Sequence, residues 1–114
     1  MHARLRTVAA ADIDSAIAHY RETAGPDVAV RFVDEFENAI SLLIRYPLTG
    51  SLRFAYELEI PELRSWSLKK FPYMIFYVPN DEHLDIWRVL HARRDVPTFL
   101  HDDNPEPDRS SVGD

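Results

Sequence analysis

Residues 63–100 read LRSWSLKKFPYMIFYVPNDEHLDIWRVLHARRDVPTFL. Short apolar runs are separated here by Lys69-Lys70, by Pro72 and by Pro79-Asn80-Asp81. Turn-forming residues between runs rich in aromatic and β-branched side chains predict an antiparallel meander of three strands. In its middle strand Tyr73, Ile75 and Tyr77 share one face and Met74, Phe76 and Val78 the other. In its last strand Leu84, Ile86, Arg88 and Leu90 alternate with Asp85, Trp87, Val89 and His91. Strands apolar on both faces belong at the centre of a sheet. The stretch ends in the cations Arg88, His91, Arg93 and Arg94, beside Asp95.

Upstream the period changes. Arg4 to Val8 reads as a short opening strand, and from Ala9 to Ala24 the apolar residues Ile13, Ile17 and Tyr20 recur at helical spacing. Asp12 and Asp14 fall in the early turns, where negative charge suits the helix dipole. Gly25-Pro26 stops that helix and starts another. In the second helix Phe32, Phe36, Ile40 and Leu43 form one stripe. It should end near Tyr46, because Pro47 pushes the preceding residue out of the helical region. Pro47-Leu48-Thr49-Gly50 is turn chemistry. Residues 51–62 show the alternation Phe54, Tyr56, Leu58, Ile60, as in a short strand or an extended packed segment. The predicted fold is α+β: a short strand, an αα-hairpin, then the meander packed on the helices. One sheet face takes the hairpin, leaving an apolar opposite face that something else must cover.

The 114 residues suffice for one domain, placed at residues 1–100 and followed by an acidic tail at 101–114 that is expected to be disordered. The tail holds Asp102, Asp103, Glu106, Asp108 and Asp114 against one base, Arg109, so much of the net charge of -6 sits there. The near-neutral body lacks the basic footprint of a nucleic-acid binder, and no direct sequence-specific nucleic-acid binding is expected. The absence of cysteine excludes disulfides and zinc–thiolate sites. No apolar run has the length of a membrane span and the first residues lack a signal-peptide core, so a cytoplasmic protein without a membrane partner is expected.

Candidate chemistry is sparse. His2, His19, His83, His91 and His101 are not spaced as metal ligands, and no metal is expected. Ser65 and Ser67 flank Trp66 without a glycine elbow, so no nucleophilic triad can be argued. With three glycines in the chain there is no phosphate-binding loop, and no cofactor is expected. The aromatics of the meander can stack on bases, but in so small a domain most are needed for the core. What remains is the cationic set: Arg64, Arg88, His91, Arg93 and Arg94, with Lys69 and Lys70 at the first connection. Such a set suits phosphate or carboxylate partners, or simply local ion pairs that end a strand.

Four strings carry a resemblance: P-x-x-G at Pro47–Gly50, L-R-S-W at Leu63–Trp66, F-P-Y-M-I-F-Y at Phe71–Tyr77 and R-V-L-H-A-R-R-D at Arg88–Asp95. Together with the order of elements they resemble the RelE/ParE superfamily, the toxins of bacterial type II toxin–antitoxin systems, over about residues 3–100. The last string is closest to the ParE branch. The resemblance implies a small domain wrapped by a cognate ParD-like antitoxin, by added strand or groove-bound helix. Two activities compete within the superfamily. RelE-like members are ribosome-dependent mRNA endoribonucleases, for which Arg64, Arg88 and His91 would form the site, His91 as acid or base. ParE-like members inhibit DNA gyrase without catalysis, and then Arg64, Arg88, His91, Arg93 and Arg94 would contact the target. The nuclease branch often uses a tyrosine near the C-terminus, whereas this chain has Phe99-Leu100 there and no tyrosine beyond Tyr77. That departure favours the gyrase inhibitor. A degenerate toxin that only binds antitoxin is the third reading.

Overall fold

The structure, a computed structural model, describes residues 1–93. The elements run β1 (His2–Leu5), α1 (Thr7–Ala24), α2 (Pro26–Arg45), α3 (Arg53–Leu58), β2 (Arg64–Ser67), β3 (Tyr73–Pro79) and β4 (His83–His91). The four strands form one sheet in the order β1-β4-β3-β2. The expected meander is there as β2, β3 and β4, with antiparallel pairs. β1 adds a parallel edge against β4, with Leu5 opposite Ile86. Arg94, Asp95, Phe99, Leu100 and the acidic tail lie outside the described residues.

β1 ends earlier than the sequence suggested, and α1 begins at Thr7 instead of Ala9. Arg6 explains the shift. Its N–H donates to the Ile86 carbonyl, while its own carbonyl already accepts the first helical bond from Ala10 N–H. Its guanidinium holds both Asp85 oxygens, at 3.1 and 2.8 Å, and stacks 4.2 Å above the Trp87 ring. The chain is therefore turned at Arg6, and Ala9 enters the core fully buried.

Between α1 and α2, Gly25 adopts φ +96° and ψ 165°, a region open essentially to glycine alone, and Pro26 starts α2. Helix α2 ends at Arg45, one residue before the position expected from Pro47. Its Phe32, Phe36, Ala39 and Leu43 are buried against Ile75, Tyr77, Leu84, Ile86 and Val89 of the sheet. Tyr20, Phe32, Phe71 and Tyr73 close one end of this core, with ring centroids 5.1 to 6.1 Å apart.

Two expectations are corrected. The segment with alternating Phe54, Tyr56 and Leu58 is helix α3, not a strand. Phe54 and Leu58 lie four residues apart, a spacing that fits both periods in so short a segment. Their neighbours tip the balance, since Arg53 and Glu57 make an i,i+4 ion pair at 3.1 Å. Helix α3 also removes the expected uncovered face. Phe54, Leu58, Ile60 and Leu63 pack on Phe76, Trp87 and Leu90, forming a second core on the sheet's other side.

Strict alternation along β4 fails as well. Phe76 pairs with Arg88 and Tyr77 with Ile86, so Trp87 is an extra residue at a bulge. Ile86 and Val89 face the helical hairpin, three residues apart, while Trp87 and Leu90 face α3.

Candidate functional site

The cationic residues are distributed by this framework to three different places. Arg88 follows the bulge on β4 and turns toward α1, where its Nε and NH2 groups donate to Asp12 Oδ2 and Oδ1 at 2.7 and 2.8 Å. Asp12 also accepts the Val89 N–H at 2.9 Å. Beyond Ile86 strand β1 no longer flanks β4, and α1 sits there instead, so a helix carboxylate takes up backbone of the last strand. Both side chains of the pair are nearly buried, at 10% and 14% exposure. A two-point guanidinium–carboxylate contact of this burial fixes helix to sheet.

In sequence Asp12 stands out only as an early-turn acid that suits the helix dipole. It belongs instead to the buried face: Ala9 and Ala16, three residues before and four after it, are both buried. A lone acid on a stripe of small apolar residues was the available signal.

Arg64 serves a second anchor. Its NH1 donates to the carbonyls of Leu48 and Gly50 at 3.0 and 2.8 Å. The fully buried Tyr77 works beside it, its hydroxyl donating to the Pro47 carbonyl at 2.8 Å and accepting the Gly50 N–H at 3.0 Å. A Cβ at Gly50 would lie 2.6 Å from that hydroxyl, which is why the turn ends in glycine. Burial pushes the Tyr77 hydroxyl above its ordinary pKa, against weaker opposing effects of the Gly50 N–H and Arg64. Three of the quoted strings thus meet at one point: P-x-x-G, L-R-S-W and the tyrosine that closes F-P-Y-M-I-F-Y.

His91 and Arg93 stand at the exit of β4. His91 pairs with Tyr73 across the sheet, and their rings meet edge to face at 5.2 Å. Its Nδ1 accepts the Arg93 N–H at 3.1 Å, and the Arg93 side chain is exposed. Beside them a cleft of about 340 Å³ is lined by Asp12, Ser15, His19, Tyr73 and His91. Lys69 lies on the neighbouring β2–β3 connection, its N–H donating to Glu35 Oε2 at 3.2 Å. Arg64 and Arg88 are thus held by different partners, while Asp12, the carboxylate that holds Arg88, also lines the cleft beside His91. Among the described residues no three His, Asp or Glu side chains gather as a metal site, and no helix is long and apolar enough to cross a membrane.

The fold is similar to that of a chain in a solved structure described as the chromosomal ParDE TA system from P. aeruginosa. That structure superposes with a TM-score of 0.68, covering 82% of this chain and 97% of the other at 22% identity. At that identity the likeness is one of fold. The profile of the family described as ParE toxin of type II toxin–antitoxin system, parDE, matches residues 3–96, and the chain belongs to that family. No curated protein matches it in sequence.

Proposed function

We propose that the chain acts as a non-enzymatic toxin that inhibits DNA gyrase and is neutralised by a ParD-like antitoxin. Membership in the ParE family supports the toxin role. The observation that carries the choice of mechanism is the use made of the arginines. Arg88 is held by buried Asp12 and Arg64 by the backbone of the 47–50 turn. Phosphoryl chemistry on RNA needs cations and a proton-transfer group converging on one phosphate, and these two serve structure. In the proposed reading they hold the contact surface in shape, while His91 at the end of β4, with Arg93 and Arg94 following it in sequence, meets the target.

The purified chain is expected to block gyrase supercoiling or to trap cleaved DNA with the enzyme. The His91→Ala/Arg93→Ala variant should keep its fold and lose most of that effect. Unimpaired supercoiling at stoichiometric excess of toxin would sink the reading. Cleavage of mRNA on ribosomes, lost in His91→Ala, would establish the ribonuclease in its place. Absence of growth arrest on expression without antitoxin would leave only the degenerate binding module.

A further inference from the structure

Strand β1 joins the sheet as a parallel edge, and its register sets His2 directly opposite His83 of β4. Two histidines far apart in sequence therefore present their imidazoles side by side on one sheet face. The rings are stacked, with centroids 5.9 Å apart and planes inclined by 24°. His2 is exposed and His83 half-buried. Linear spacing could not show this pair, because strand register creates it.

The turn before β4 sets the tautomer of His83. Asn80 Oδ1 accepts the Glu82 and His83 N–H groups, at 3.1 and 2.9 Å. The Asn80 amide nitrogen, which can only donate, then lies 3.3 Å from His83 Nε2. In the uncharged ring Nε2 therefore carries the lone pair and Nδ1 the proton. A ring nitrogen in that state is a metal ligand, and a contact as long as 3.3 Å is a weak one to exchange for a coordinate bond. Zinc holds imidazole nitrogens at about 2.0–2.1 Å, so two rings sharing one ion have centroids about 4.5–5 Å apart. Side-chain rotation of the exposed His2 closes the difference. Asp81 and Glu82, exposed on the turn that leads into His83, offset the charge of Arg4 on β1.

We propose that His2 and His83 form a two-histidine site for a divalent transition-metal ion of the copper, nickel and zinc class, which ties the edge strand β1 to β4. Imidazole suits these ions, and copper should bind most tightly. Among the described residues no group of three His, Asp or Glu side chains surrounds an ion, so water fills the other positions and the ion is exchangeable. The inference goes beyond the toxin function and does not depend on it, since His83 begins β4 and His91 ends it.

The probe is zinc chloride titrated calorimetrically into the untagged full chain, with copper(II) chloride as the second ion. One ion per chain should bind, copper more tightly, and EDTA should reverse both. His2→Asn and His83→Asn should each weaken binding at least tenfold, with unchanged circular dichroism in the absence of metal. His19→Asn/His101→Asn removes two other histidines and should leave binding intact. Hydrogen exchange reads the clamp itself at the Arg6 N–H, which donates to the Ile86 carbonyl at 3.0 Å. Any opening that parts β1 from β4 releases the ion, so free zinc at about ten times its dissociation constant should slow that exchange about tenfold. In His83→Asn the same zinc should leave the rate unchanged. Binding lost in only one of the two single variants would put the ion on one strand and overturn the proposal. Equal loss in His19→Asn/His101→Asn, or an Arg6 rate unmoved by bound zinc, would also overturn it.

Discussion

The Tyr77 hydroxyl and the Asp12 carboxylate each join segments far apart in sequence. Tyr77→Phe keeps the ring in the core but leaves the Gly50 N–H and the Pro47 carbonyl without their partner. The expected loss is about 1–3 kcal/mol, read from urea unfolding. Tyr77 and Tyr20 are both shifted upward by burial, and the sign of their pH effect follows. The unfolded chain gives up these protons first, near pH 10, so stability should fall as pH rises above that value. Tyr77→Phe should make the fall shallower; an unchanged slope would contradict its assignment. For the ion pair, Asp12→Ala strands a buried guanidinium and should cost about 3–5 kcal/mol, whereas the apolar pair Asp12→Leu/Arg88→Met should recover only part of it, because the Val89 N–H still loses its acceptor. Thermal and urea midpoints of the three proteins check this. Arg88 and Arg64 were legible as important from sequence, but not their partners. Nothing in a linear pattern says that a helix acid will face a bulged strand 76 positions away.

Among the elements, the long ones were readable and the short ones were not. Helix α2 was predicted nearly to its ends, because its stripe spans several turns and Gly25-Pro26 and Pro47 punctuate it. Helix α3 has six residues, too few to separate a period of two from one of 3.6. The bulge at Trp87 was equally hidden, since an apolar strand reads the same in either register once both faces are buried. Two substitutions test these assignments. Gly25→Ala meets open space, with nothing within 4 Å of the added carbon, so its cost is conformational alone, about 1–3 kcal/mol. Phe54→Ala should cost about 3–5 kcal/mol by opening the core under α3. A loss below about 1 kcal/mol would contradict the burial of Phe54 under α3.

For the molecule as a whole, the sequence showed one α+β layer arrangement and its family resemblance, and the family profile and the fold agree with both. It did not show that the chain covers both faces of its own sheet. That difference matters for function: the exposed apolar surface is not a bare sheet but a bounded groove beside α3. It also separates the described members of the cationic set into anchors, the buried Arg88 and the half-buried Arg64, and a strand end with half-buried His91 and exposed Arg93. In the proposed function the anchors maintain shape while the end of β4 meets gyrase. The most direct measurement is inhibition of gyrase supercoiling by two variants of equal foldedness, Asp12→Leu/Arg88→Met and His91→Ala/Arg93→Ala. Near-normal inhibition by the first and strong loss in the second are the expected results. Loss in the first with full inhibition by the second, or no inhibition by the unaltered chain, would contradict it.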